Sequence, residues 1–478
     1  SKPAARMVGG KLGKVRKIST YVVEFSVDVP NGIFIEEMCR WRPEPYAPAH
    51  YLKQFHPKYT PMEKIQQAME KEGFDRWADL FLDKRMNITN PECPTISAWV
   101  AVNEPQEQIH IFKRNPYYWK VDTAGNQLPY IDRIESPMFT DQQAILLKVL
   151  AGEIDYMSAA WIGAMESYPT VVQNQDKGNY HLVSSPWPPN NLGSIYFNFT
   201  HKDPVLRKLF NDKRFRIALS VALDREEINK MLFKGQATPS QPSPPPGPPY
   251  YGDSSLFKKY TQYNPKYANQ LLDEIGLTKR DKDGFRMRPD GKELTLVNSV
   301  ILGWPVEAVE MAELYRKYWQ DIGLRVVSRP VSAEVLPAQI QAGEYDLMTN
   351  TKTPGGRPLN IFTRGDLLPS YNYWMVAPKW SLWLNSGGKE GEEPPPEVKR
   401  LREIYMQGIS EPSEKKRTTL IMEAFRINID NMLAIGVVNE PQKGNYFVVR
   451  NRLRNFNRPN EPAAGELYPT PPAQWFIK

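Results

Sequence analysis

A seven-residue segment occurs twice in this chain, and the repetition limits its architecture more than any other feature. Ala151-Gly152-Glu153-Ile154-Asp155-Tyr156-Met157 is echoed by Ala342-Gly343-Glu344-Tyr345-Asp346-Leu347-Met348. Each copy follows a stretch with apolar residues at helical spacing and opens a short apolar run. Glycine enters the left-handed conformation at no steric cost, so each copy reads as helix, glycine stop and strand. One such device in each part of the chain predicts two α/β lobes, with a cleft between them as the place for a ligand.

The rest of the second lobe follows the same pattern. A helix starts at Asn264-Pro265, with a strand over 294–302 and a helix over 305–322 closed by Gly323. A strand over 324–328, a helix over 335–341 and a strand over 345–348 follow. Such alternation predicts βαβ units and mixed or parallel sheets. Before it, the spacing predicts a strand over 21–27, one helix over 61–85, strands over 108–114 and 192–199, and one long helix over 214–234. The proline run from Pro239 to Pro249 is expected to be an extended, ordered surface crossing, in preference to a disordered linker.

Composition excludes several classes. A chain of 478 residues can bury several cores, and no run of 18 apolar residues offers a membrane-spanning helix. The net charge of +7 comes from 61 basic and 54 acidic residues that are interleaved. Nucleic-acid binders gather their charge on one face, so no nucleic-acid partner is expected. Two cysteines, Cys39 and Cys93, exclude a disulfide-dense scaffold and a cysteine-rich zinc site, and leave open whether they pair. None of the five histidines has zinc-hydrolase spacing, and no Gly-x-Ser-x-Gly elbow occurs. Gly9-Gly10-Lys11-Leu12-Gly13-Lys14 has the wrong spacing for a phosphate loop. No catalytic residue, metal or cofactor is therefore expected. A pair of cleft carboxylates acting on a sugar is the remaining enzyme alternative, and no acidic residue stands in a distinctive motif for it.

Several segments, in order, carry a resemblance. Arg114-Asn115-Pro116-Tyr117-Tyr118-Trp119 runs into Leu128-Pro129-Tyr130-Ile131-Asp132-Arg133-Ile134. Leu150 to Asp155, Ile195-Tyr196-Phe197-Asn198 and the segment from Arg214 to Arg225 follow. Over nearly its whole length the chain resembles family 5 of the extracytoplasmic solute-binding proteins, which includes oligopeptide- and dipeptide-binding receptors of ABC importers. The resemblance implies a two-lobed, periplasmic-binding-protein-like α/β clamp of type II (cluster C). Lobe I would span residues 1–198 plus 433–478 and lobe II residues 199–432, with a two-strand hinge near 196–199 and 433–438. It implies a receptor that closes on a small or oligomeric solute outside the cytoplasm, in the periplasm or its equivalent, and docks on a membrane permease. Family members usually carry a longer front segment, so the chain is expected to lack part of lobe I. The sheet of that lobe would then be left partly uncovered, favouring lower stability or association with another copy.

The ligand site is expected in loops rich in aromatic residues, since stacked rings bind the apolar faces of sugars. Trp187, in Pro186-Trp187-Pro188-Pro189-Asn190-Asn191, precedes the implied hinge, with Asn190 and Asn191 as polar partners. Trp304 follows a strand end, where α/β ligands gather. Trp161 and Trp374 are further candidates, although any of these rings can equally fill a core. Where peptide-binding relatives commonly place an aspartate, residues 349–358 offer Lys352 and Arg357 and no carboxylate. A cationic site suits a carboxylate, a phosphate or sugar hydroxyls rather than an ammonium. Residues 383–396 also resemble a subgroup in which oligosaccharide binders occur. An oligosaccharide or glycoside is thus expected ahead of an oligopeptide.

Overall fold

Both copies of the repeated segment fold as the spacing predicts. In the computed structural model, helix Gln142–Leu150 ends at Gly152, whose φ is 70°, and strand Tyr156–Ser158 follows. Helix Leu336–Ala342 ends at Gly343, with φ 64°, before strand Leu347–Thr349. The same two turn bonds recur: Gly152 N donates to Val149 O as Gly343 N does to Ile340 O, and Glu153 N to Lys148 O as Glu344 N does to Gln339 O. The structure describes the chain except residues 1–6, 9–10, 29, 36–46, 105–107, 140, 185–189, 247–251, 303–307, 333–334, 351, 354–360, 363–366, 370–373, 375, 442–445 and 457–471.

The copies lie in different units. One unit comprises Ser1–Glu37 and Pro188–Gln442, the other Met38–Trp187 and Lys443–Lys478. These boundaries differ from the expected ones at 198 and 433. Strands Ile195–Phe197 and Ala434–Ile435, expected as hinge, are paired inside the central sheet of the first unit. The front of the chain also belongs there. Ile33 is buried in that unit's core, Gly32 N donates to Ile409 O at 2.7 Å, and Arg417 donates to Gly32 O at 3.2 Å. A Cβ on Gly32 would stand 2.3 Å from Glu411 O, so this close approach requires glycine.

The first unit is built on a five-stranded mixed sheet. Its order is Arg325–Val331, Thr295–Ile301, Leu347–Thr349, Ile195–Phe197 and Ala434–Ile435. The first three strands are parallel, joined by helices Ala308–Asp321 and Leu336–Ala342, as the alternation predicts. Ile195–Phe197 runs antiparallel to both its neighbours. Helix Lys213–Val221 is buried from Phe215 to Val221, and helix Ala308–Asp321 buries Tyr315, Tyr318 and Trp319. The Trp319 indole N–H donates to Leu219 O at 3.0 Å, so this large core ring keeps a polar partner.

Three expected elements are interrupted, each for a local reason. The helix over 61–85 is two, Met62–Glu72 and Trp77–Lys84, because Gly73 takes φ 74° between them. The helix over 214–234 breaks before Arg225, where the Asp224 carboxylate caps Glu227 N at 2.9 Å. The strand over 192–199 is split into Asn191–Leu192 and Ile195–Phe197 by Gly193, at φ 66°. The start of the proline run is ordered, but it is buried rather than superficial: Ser240, Gln241 and Ser243 are inaccessible.

The second unit holds two antiparallel three-stranded sheets. One is Tyr156–Ser158, Tyr446–Arg450 and Tyr180–Ser184; the other is Trp99–Ala101, Ile109–Arg114 and Arg133–Pro137. Helices Met62–Glu72 and Trp77–Lys84 close over a separate small core of Leu52, Phe55, Ile65 and Leu80. Cys93 is buried, its thiol 3.7 Å from Arg85 O, and Cys39 lies outside the described residues.

One cap gives a pH prediction. Asp203 caps helix Pro204–Asn211 through Val205 N and Leu206 N, and Arg288 donates to it at 2.8 Å. The Arg288 hydrogen bonds lead in lowering the Asp203 carboxyl to about 2. A depressed folded value contributes stability above the unfolded value, near ~3.9, and loses it as pH falls through about 2. Arg288→Ala is therefore expected to destabilise fully above pH ~4 and progressively less toward pH ~2. Urea midpoints measured across that range check it; a pH-independent difference between the proteins counts against it.

Candidate functional site

Strand direction brings the ends of several strands together in the first unit. Strands Thr295–Ile301 and Leu347–Thr349 are parallel and finish together, with Val300 opposite Thr349. Ile195–Phe197 begins at that end, since Ile195 is opposite Thr349 and Ile435. There the chain continues into a second, four-stranded sheet in the order Thr238–Pro239, Val438–Asn439, Asn191–Leu192 and Lys352–Thr353. Asn191 stands opposite both Thr353 and Asn439. Asn191, Ile301 and Thr353 of these strands are within four residues in sequence of Trp187, Trp304 and Arg357 respectively. These three side chains themselves lie outside the described residues.

A buried polar network holds this end together. Asn191 donates to the Asn439 side-chain oxygen at 3.0 Å and to Ser240 Oγ at 3.0 Å. Its own oxygen accepts from Ser194 Oγ at 2.8 Å and from Val437 N at 3.0 Å. Ser240 Oγ donates to Asn439 at 2.9 Å, and the Gln241 oxygen accepts from Gly436 N at 2.8 Å. Asn190 donates to the Glu440 carboxylate at 2.9 Å, while Glu440 N returns a bond to Asn190 O at 2.8 Å. Across the larger sheet, Asn298 and Thr349 exchange bonds of 2.9 and 3.0 Å, and the Tyr196 and Thr353 hydroxyls share one of 2.7 Å. Buried polar groups are tolerable only when paired, and a completed network fixes one arrangement of the chain.

Two large groups brace the network from behind. The Arg225 guanidinium is buried and donates to Gly436 O, Ser220 O and Ser220 Oγ. Burial pulls it down to about 10, so it remains a cation at neutral pH. The Tyr315 hydroxyl donates to Gly193 O at 3.0 Å. Burial raises its pKa well above the ordinary phenol value, which keeps it a donor. At Gly193, besides the positive φ, a Cβ would meet Tyr315 Oη at 2.3 Å.

The described candidates divide by environment. Asn190 and Asn191 are brought to the expected end, but the Asn191 amide is fully engaged by the protein, which makes it framework rather than a contact for a solute. Trp374 is 1 % exposed within the first unit's core, so its ring fills the interior and does not stack on a ligand there. Trp161 is 66 % exposed in the second unit, at the end of the short helical turn Ala159–Trp161, and keeps a ring available for stacking. Sequence reasoning missed Ser194, Ser240, Gln241, Asn439 and Glu440. The signal was present in the cluster of small polar residues beside the prolines, at 240–243, which read as surface until the pairing partners were known.

Comparison with known proteins follows this architecture. Residues 2–363 match the bacterial extracellular solute-binding proteins, family 5 Middle. The periplasmic alpha-galactoside-binding protein of Rhizobium meliloti is 27% identical over 416 residues, 83% of this chain and 55% of that protein. The chain thus spans about half the length of that curated relative. A solved structure of an oligopeptide-binding protein OppA is 36% identical, with a TM-score of 0.70, covering 100% of this chain and 77% of that one. The stachyose complex of the periplasmic binding protein MelB from Agrobacterium fabrum shares the fold at 23% identity and a TM-score of 0.67, over 95% of this chain and 65% of that one. The two-lobed, periplasmic-binding-protein-like fold with mixed sheets is the one these structures share. The chain belongs to family 5 of the bacterial extracellular solute-binding proteins.

Proposed function

We propose that this protein is the solute-binding receptor of an ABC importer, that it works outside the cytoplasm, and that its solute is an oligopeptide. The observation that carries the reading is the 36% identity to an oligopeptide-binding protein over the whole of this chain. Two features of the first unit fit. The buried network around Asn191 fixes the arrangement of the described strands beside it. Strand Lys352–Thr353 also ends its sheet, with no strand on its outer side among the described residues. An extended peptide can add main-chain hydrogen bonds to such an edge, while nearby loops choose among side chains. Closure of the lobes would trap the solute, and a membrane permease would then receive it.

The second reading is an oligosaccharide or glycoside. It is favoured by the alpha-galactoside-binding relative, matched over 83% of this chain, and by the exposed ring of Trp161. The order of the two readings is the reverse of the one expected from the aromatic loops, the cationic stretch 349–358 and the likeness of residues 383–396 to a subgroup with oligosaccharide binders. A cleft carboxylate pair acting on sugar has no support from a family of binding proteins.

A thermal-shift screen against short peptides and oligosaccharides separates them. A specific solute at about 100 times its dissociation constant stabilises the native state by about 2.7 kcal/mol, a readable rise in Tm. Peptides are expected to give that rise. A rise with oligosaccharides and none with peptides overturns the peptide reading and leaves Trp161→Ala as the next variant to titrate.

A further inference from the structure

We propose that Asn31 is a deamidation site, and that the docking of residues 31–33 on the first unit sets how fast it is modified. Asn31-Gly32 is the one Asn-Gly pair in the chain. In such a pair the glycine backbone nitrogen attacks the side-chain carbonyl carbon of the asparagine. A new C–N bond closes a succinimide ring, and ammonia leaves. Water then opens the ring at either carbonyl. The product is aspartate, or isoaspartate when the main chain is rerouted through the side-chain carbon. Asparagine is thermolabile, and a following glycine puts no Cβ in the path of the attack.

Packing commits both residues of the pair. A Cβ on Gly32 would collide with Glu411 O and stand 2.8 Å from Pro412 N, both backbone atoms, so no slower-reacting neighbour fits there. Asn31 makes the turn that follows. Its side-chain oxygen accepts from Ile33 N at 3.1 Å, and its own carbonyl accepts from Phe34 N at 3.4 Å. That turn delivers Ile33 into the core, where it is 2% exposed.

The same docking restrains the chemistry. The attacking nitrogen must give up its proton, but Gly32 N–H donates to Ile409 O at 2.7 Å. Ring closure brings this nitrogen to the Asn31 side chain and breaks that bond. Arg417, which donates to Gly32 O at 3.2 Å, and the seated Ile33 oppose the movement. The reaction therefore passes through a local opening in which residues 31–33 leave the first unit, an event less costly than global unfolding. When opening and reclosing are fast beside the chemistry, the rate follows the open population. Isoaspartate lengthens the main chain by one carbon, so Gly32 N–H and Ile33 cannot both regain their partners. The mark is one-way.

The full chain, folded in mildly alkaline buffer and in parallel unfolded in guanidinium, tests this after tryptic digestion. The peptide from Ile18 to Arg40 holds Asn31 as its single side-chain amide, so its mass and isoaspartate content read this site alone. Folded wild type is expected to deamidate at least about tenfold more slowly than the unfolded chain. Ile33→Ala should close most of that gap. Ile33→Val removes one methylene, keeps the fold and should speed the folded rate roughly two- to tenfold. Each variant is compared with its own unfolded rate, which cancels any change in intrinsic reactivity. Equal rates in folded and unfolded wild type overturn the proposal. So does wild-type protection in both variants, or an unfolded chain that does not deamidate at Asn31.

Discussion

Arg225→Met is expected to destabilise the protein by about 3 kcal/mol or more, a large fraction of the stability of a typical domain. The guanidinium is 1% exposed and its bonds are to neutral oxygens. Gly436 O accepts from Nε at 3.0 Å and from Nη2 at 2.7 Å; Ser220 O accepts from Nη1 at 2.8 Å. Thr261 O accepts a further bond at 3.3 Å. Methionine recovers volume and avoids burying a charge, which alone can make such a replacement neutral. It leaves the carbonyls behind, however, and each buried acceptor without a donor costs about 1–3 kcal/mol. Gly436 O loses two donors at once, in the turn between Ala434–Ile435 and Val438–Asn439. Urea unfolding at pH 7 measures the loss, and an unfolding free energy within about 0.5 kcal/mol of wild type would contradict the bracing role.

Asn191→Ala is expected to cost about 2–4 kcal/mol, and to do so without any solute present. The side chain gives two bonds to Ser240 and one to Asn439, and accepts from Ser194 and Val437 N. Alanine leaves the buried Val437 amide without that acceptor. Hydrogen exchange at Val437 should accelerate along with a fall in Tm. A solute-contacting residue would behave differently, losing affinity while the ligand-free Tm stayed put. That second pattern would return Asn191 to the binding surface.

Much of the fold was readable because it rests on local chemistry. The repeated Ala-Gly-Glu segment marks two helix stops, and the structure uses Gly152 and Gly343 in the same left-handed turn. The βαβ succession from 295 to 349 followed from periodicity and glycine punctuation. Breaks within elements were harder. Gly73 and Gly193 lie in otherwise regular apolar patterns, and their interruptions are set by a positive φ. The division of the chain could not be read locally at all. Gly32 bonds to Ile409 and Arg417, more than 370 positions away in sequence, beside Ile33 in the first unit's core, and periodicity carries no such information.

The site was legible in part. Within the segment Pro186–Asn191, Asn191 opens a strand opposite Thr353 and Asn439. Its asparagines, however, turn inward. Asn and Ser look alike in sequence whether they face solvent or satisfy one another, and only pairing partners such as Asn439 and Ser240 decide it. Tryptophan carries the same ambiguity: Trp374 is core and Trp161 is exposed, although both stood in the same set of candidates.

Calorimetric titration of the full chain with a peptide selected by thermal shift, followed by mass analysis of the recovered ligand, tests the receptor reading most directly. The account predicts saturable binding of one peptide per chain, a negative heat-capacity change from buried apolar surface, and recovery of the peptide intact. No saturable binding of peptide or oligosaccharide, or recovery of a cleaved ligand, would contradict it.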